Sequence, residues 1–299
     1  MNATPRPSEG VVSWNMTTRC NLRCSYCTQR HKSDRGRPPR PAKAFIPAFS
    51  RLPGRWEIKL SGGEPFMHPE LDVLVSAIAG LGHRVSIVTN FTASRERLAA
   101  FAAAAGGRIG VFACSLHLEH VNDPAKLDEF IDRACWFAQV LVRGADPGLP
   151  RPNLCVTSVA TRAALPRLPD LAGRFGNRGV AFKVQPEKQD RDVIGYTDAE
   201  RAAILALGGH NMTGDIRHSF KDRPCWAGSR AFILDDLGGA WRCYPARRYR
   251  LESLGDFTGE RFTLNDGPRP CLYDYCNCTV PIARGMMPTD HSSSSETER

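Results

Sequence analysis

Between residue 11 and about residue 210, short apolar stretches alternate with helical ones six times over, and few folds accept that rhythm. The strand candidates are VVSWNMT (11–17), WEIKLSG (56–62), RVSIVTN (84–90), IGVFACSLH (109–117), NLCVTSVAT (153–161) and VAFKVQP (180–186). PELDVLVSAIAGL opens on Pro69 with an acidic first turn and puts Leu71, Leu74, Val75 and Ile78 on one stripe. SRERLAAFAAAAGG offers Ser94 as N-cap and Gly106 as stop, and DPAKLDEFIDRACWFAQVL, RAALPRLPDLAGRF and YTDAERAAILALGG complete the helical set. A strand followed each time by a helix predicts a parallel sheet with crossovers of one hand. The expected class is α/β, a partial (β/α)6 TIM-like barrel with its functional residues in the loops after the strands.

After about residue 220 the rhythm changes. CWAGSRAFILDDLGGAWRCYP reads as a β-hairpin turning at Gly238 and Gly239, with a short strand near LESLGDF and then the dense CLYDYCNC. The expected organisation is an N-terminal extension (1–10), the barrel (11–215), a small cysteine-rich domain (220–286) and a polar, Ser-rich tail (287–299) that composition reads as disordered. The Pro-rich basic loop at 30–43 reads as solvated, or as a lid over the rim.

Four polar signals fall at strand ends. RCNLRCSYC follows the first strand and SGGEP the second, TN closes the third and SLH the fourth. The first holds Cys20, Cys24 and Cys27, and three thiolates leave one corner unfilled at either a zinc site or an iron-sulfur cube. The chain has 11 cysteines and no signal-peptide pattern, which places it in a reducing, cytoplasmic setting where clustered thiols bind metal. Cys114, Cys135 and Cys155 stand apart from the clusters and read as small core residues. No apolar run is long enough to span a bilayer. The net charge of +9 comes from 33 arginines against 7 lysines, partly a matter of composition and partly suited to an acidic partner.

On these residues the chain resembles the radical S-adenosylmethionine superfamily: Cys-x3-Cys-x2-Cys with Tyr26 before the third cysteine, then SGGEP. The resemblance implies a [4Fe-4S] cluster on Cys20, Cys24 and Cys27 whose open iron is chelated by S-adenosyl-L-methionine, and chemistry through a 5'-deoxyadenosyl radical. It assigns cofactor binding to Tyr26, to Ser61, Gly62, Gly63 and Glu64 of the glycine motif, to Thr89 and Asn90, to Ser115 near the ribose, and to Arg162 opposite the methionine carboxylate. His117 would face substrate. A flavodoxin or ferredoxin would donate electrons.

Cys225, Cys243, Cys271, Cys276 and Cys278 resemble the auxiliary-cluster extension called SPASM, or its shorter form, twitch. Four thiolates for one auxiliary [4Fe-4S] cluster leave one over, and spacing does not choose it. That thiol, among Cys243, Cys271, Cys276 and Cys278, is either a bystander or a hydrogen donor; a four-thiolate zinc site is the alternative.

The barrel starts near residue 11, leaving no room for a leader-binding domain, which favours a small substrate inside the barrel. Gln185, Glu187, Lys188 and Gln189 would supply polar contacts. The expected enzyme abstracts hydrogen from a carbinol-type C–H of a sugar, cyclitol or aminoglycoside, giving epimerisation or two-electron oxidation. A peptide-modifying maturase is the alternative, and a non-catalytic metal-cluster or regulatory protein is the alternative of another class; dispersed basic residues without a recognition motif weigh against nucleic acid.

Overall fold

Each expected barrel strand forms to within one residue at either end. The structure, a computed structural model, describes residues 8–28, 38, 40–189, 192–208, 220–274 and 284–287. Cys276, Cys278, most of the basic loop and the Ser-rich tail after residue 287 lie outside the described residues. In chain order the barrel half comprises β1 (Gly10–Thr17), α1 (Ala42–Phe49), β2 (Trp56–Gly62), α2 (Leu71–Gly80), β3 (Arg84–Thr89), α3 (Arg95–Ala104), β4 (Ile109–Leu116), α4 (Pro124–Arg143), β5 (Asn153–Ala160), α5 (Leu168–Gly176) and β6 (Ala181–Pro186). A two-stranded ribbon, β7 (Lys188–Gln189) and β8 (Asp192–Val193), leads to α6 (Asp198–Ala206). The C-terminal part adds β9 (Pro224–Cys225), β10 (Ala231–Leu234), β11 (Gly239–Trp241), α7 (Tyr244–Tyr249), β12 (Ser253–Asp256) and β13 (Arg269–Pro270).

Strands β1 to β6 lie in sequence order, every neighbouring pair parallel, as a partial TIM-like barrel. Period-two alternation sorts their side chains. Val12, Trp14 and Met16 of β1 and Ile58 and Leu60 of β2 face the helices in the main core, where the Trp14 ring stands 4.5 Å from Phe45 of α1. Burying a side chain of that size contributes roughly 2–3 kcal/mol. The opposite face, carrying Ser13, Lys59, Ser86, Thr157 and Lys183, looks into the lumen.

Three local outcomes depart from the sequence. Helix α1 was not anticipated, because Pro47 sits inside it and a Pro-rich run precedes it; Phe45 and Phe49, both fully buried, hold it through tertiary packing. The segment RAALPRLPDLAGRF splits into a 3-10 turn (Leu165–Arg167) and α5, so each proline falls in the first turn of its helix, where a missing N–H costs nothing. The hairpin forms as expected, with Gly238 at φ +92°. It does not make a sheet of its own, however. Strand β10 pairs parallel with β1, so one nine-stranded sheet runs β12-β11-β10-β1-β2-β3-β4-β5-β6. The free edge of β1 is thereby covered. The chain closes beneath the barrel, where Arg284 pairs with buried Glu57 at 2.5 Å and Trp226 N–H donates to the Met286 carbonyl.

Candidate active site

The cysteine loop leaves β1 and turns over the barrel mouth. Cys20, Cys24 and Cys27 are all half-buried and close enough to act on one another electrically. The Leu22 N–H points at Cys20 Sγ at 3.4 Å and the Asn90 side-chain amide at 3.9 Å. Burial, with Glu64 and Cys27 nearby, pushes the Cys20 thiol up; burial, Glu119 and the other two thiols push Cys24 to about 11. Such thiols ionise only against a compensating positive charge. Three half-buried thiols in one loop, with N–H donors already turned to the sulfur of Cys20, are the kind of donor set an iron-sulfur cluster requires, and the residues present fit it.

Three neighbouring loops fix this one. Gly63 N–H donates to the Thr17 carbonyl and Glu64 N–H to that of Arg19, both at 2.7 Å. The approach is so close that a Cβ on Gly63 would stand 2.0 Å from the Arg19 oxygen, and Gly62, at φ +130°, is equally barred. Only glycine satisfies both positions. The Glu64 carboxylate is 1% exposed and accepts from Phe66 N–H, the Thr89 hydroxyl and Asn90 N–H at 2.6–3.0 Å. The resemblance assigns Glu64 to cofactor binding; in the structure its carboxylate clamps the ends of β2 and β3 together. Asn90 continues the chain of contacts to Asn21 at 2.7 Å.

Past β4, the Tyr26 hydroxyl is hydrogen-bonded to His117 Nδ1 at 2.9 Å, and burial with His120 beside it brings the His117 pKa down to about 4. The ring is neutral at physiological pH. Glu119 accepts from both the backbone N–H and the hydroxyl of Ser25, between the second and third cysteines. Ligand atoms of Glu119, His120 and Cys24 lie within 4.8 Å of one another. Sequence reasoning missed Glu119, His120 and Asn21, because no motif marks a loop carboxylate that becomes a tether only when β4 meets β1's loop.

Other expected residues are less central. The Ser61 hydroxyl donates to the Trp14 carbonyl and lies 3.0 Å from the Asn15 side chain; Ser115 is half-buried on β4. Arg162 donates to the Gly195 carbonyl and stands 3.7 Å from Glu200 of α6. Its partners lie on α6 and the segment leading into it, not on the cysteine loop. Gln189 is exposed, whereas Gln185, Glu187 and Lys188 are half-buried near the end of β6.

In the C-terminal part, Cys225, Cys271 and half-buried Cys243 share one small apolar cluster. Behind them the buried Arg242 guanidinium donates to the carbonyls of Ala227, Arg269 and Pro270 and to Glu252, which also accepts from the Tyr273 hydroxyl at 2.7 Å. This network pins the strands bearing the thiols. Of the isolated cysteines, Cys114 joins the main core, but Cys155 is on the lumen face of β5, a consequence of strand parity invisible to composition.

Residues 14–141 match the Radical SAM superfamily. The GTP 3',8-cyclase of Aquifex aeolicus is 27% identical over 185 residues, 58% of this chain and 55% of that protein. GTP 3',8-cyclase 2 of Mycobacterium tuberculosis is 31% identical over 145 residues, 44% of this chain and 39% of its own. Streptococcus suis SuiB bound to S-adenosylmethionine superposes with a TM-score of 0.58 at 16% identity, over 85% of this chain and 64% of that one, a likeness of fold. The chain spans about half the length of the curated relatives it matches. Among the described residues, no helix is long and apolar enough to cross a membrane.

Proposed function

Because residues 14–141 belong to the Radical SAM superfamily, we propose that this enzyme abstracts hydrogen from a carbinol-type C–H of a small polar molecule held in the barrel lumen. The cluster and S-adenosylmethionine, when bound, supply a 5'-deoxyadenosyl radical for that step. Cys20, Cys24 and Cys27 hold the cluster, and Tyr26, Ser61, Gly62, Gly63, Thr89, Asn90 and Ser115 shape the cofactor's seat. Glu64 keeps that seat rigid. The observation that carries the reading is three half-buried thiols converging at the C-terminal mouth of a barrel whose inner face is polar.

Loss of a proton and of an electron, which an auxiliary cluster would accept, would take the substrate radical to the oxidised product; return of a hydrogen atom from a thiol of the C-terminal group, leaving a thiyl radical for the electron donor to reduce, would give epimerisation. Cys225, Cys243 and Cys271, with Cys276 or Cys278, would hold an auxiliary [4Fe-4S] cluster. An acidic flavodoxin or ferredoxin suits the net charge of +9 as electron donor, and a cytoplasmic setting suits the thiols. The test is anaerobic reduction with S-adenosylmethionine in deuterated buffer. Release of 5'-deoxyadenosine is expected; a product with one carbon-bound deuteron marks epimerisation, and a product two hydrogens lighter without deuterium marks oxidation. A reconstituted protein that never releases 5'-deoxyadenosine refutes the reading.

A second reading, rearrangement of a purine nucleotide, draws on the 27–31% identity to proteins named GTP 3',8-cyclase. Conversion of GTP under the same conditions would select it.

A further inference from the structure

Two cations on the lumen face, Lys59 and Lys183, form no ion pair with any described residue. Lys59 lies on β2 between Ile58 and Leu60, both of which face the helices, and pairs in register with Ser13 and Ser86. Lys183 lies on β6 between Phe182 and Val184, which pack outward, and pairs with Thr157. Parity therefore turns both amines inward, two residues before Ser61 and Gln185 respectively. They come from well-separated strands, yet both act electrostatically on the same buried thiol, Cys155 of β5. Two other charges on this face are matched: Glu57 by Arg284 at 2.5 Å and Arg84 by Glu9 at 3.1 Å. Among the described residues neither lysine forms an ion pair, and neither does Glu187 just past the end of β6.

We propose that Lys59 and Lys183 form an oxyanion-binding floor in the lumen, so that the substrate carries a phosphate or carboxylate group anchored below the rim. An ammonium left half-buried without a partner is stabilised by an anion that supplies both charge and acceptors. The geometry also orders the chamber: the cysteine loop lies at the mouth past the end of β1, and the anchor lies below the ends of β2 and β6, so the carbon presented for abstraction is set by its distance from the anionic group. A polycationic aminoglycoside would meet like charge here, and the expected substrate class narrows to acidic sugars, sugar phosphates or nucleotides. The proposal rests on the lumen being the substrate chamber.

The test is an equilibrium titration of the full-length, oxygen-free protein with its clusters and S-adenosylmethionine bound, in the absence of reductant. Inorganic pyrophosphate and glucose 6-phosphate form one arm, malonate and glucuronate the other, and 2-deoxystreptamine is the cationic control. At least one anion is expected to bind, with affinity falling about tenfold or more in Lys59→Gln and Lys183→Gln and recovering in Lys183→Arg. The preferred arm names the anionic group. Failure of all four anions to bind, affinity unchanged in both Gln variants, or tighter binding of 2-deoxystreptamine overturns the proposal. Since no reductant is present, anion binding without later 5'-deoxyadenosine release would sink the radical function and leave the anion floor standing.

Discussion

The carboxylate of Glu64 accepts the backbone N–H of Asn90 at 2.6 Å, joining the loops after β2 and β3 beneath the cysteine loop. Two more donors converge on the same group, so its removal leaves three buried donors without an acceptor. Glu64→Ala is expected to cost about 3 kcal/mol of stability and to lower the iron bound after reconstitution. Denaturant unfolding and iron analysis check it; wild-type values in both would show that the loops stand without the clamp.

Gly63→Ala tests the close approach of two backbones. With a Cβ 2.0 Å from the Arg19 carbonyl, the cysteine loop must shift, at a local cost of about 2–3 kcal/mol. The far-ultraviolet circular dichroism of the barrel should survive while the first cluster fails to assemble. A normal cluster spectrum would mean that the loop has slack.

Glu119 ties down the turn between Cys24 and Cys27 through Ser25. Glu119→Ala should lose only about 1 kcal/mol of stability, because the group is exposed. Its effect should instead appear as a several-fold faster loss of iron to a chelator, with Ser25→Ala showing a smaller effect of the same sign.

His83 is buried with Nε2 3.2 Å from the Phe49 carbonyl, and burial lowers its pKa from 6.5. The unfolded chain therefore takes up a proton that the native ring refuses. Stability is complete above about pH 6.5 and declines as pH falls toward the lowered native value. Denaturation midpoints should drop as pH falls below about 6.5, and His83→Gln should flatten that slope. An unaltered slope in the variant would assign it to another group.

Arg242 is 3% exposed and serves three carbonyls and Glu252. Arg242→Met is expected to cost about 3 kcal/mol, leaving half-buried Glu252 without its cation and three carbonyls without their donor. Iron content should fall by about four per chain, the complement of one cube, while the first cluster persists. Equal loss from both clusters would show global unfolding instead.

Much of the site was legible because its chemistry demands residue types at fixed short spacings. Cys20, Cys24, Cys27, Gly62 and Gly63 are all within single loops, and each loop follows a strand whose apolar alternation is itself readable. What could not be read were partners that meet only when distant loops converge: Glu119 with Ser25, Asn21 with Asn90, and Arg162 with α6 instead of the rim. Helix α1 was hidden for a related reason, since Phe45 and Phe49 stabilise it against rings distant in sequence, Trp14 and Phe257.

Local order and loop chemistry were thus determined by the sequence alone, because strand parity, caps and ligand spacing are properties of neighbours along the chain. Only the tertiary structure decided that β10 extends the barrel sheet through β1, that Glu64 faces inward as a clamp, and that Lys59 and Lys183 share one lumen with Cys155. Those outcomes depend on which strands lie side by side and how the sheet curves. Contacts across such separations carry no local signature, and the closing of the barrel is what brings them into reach.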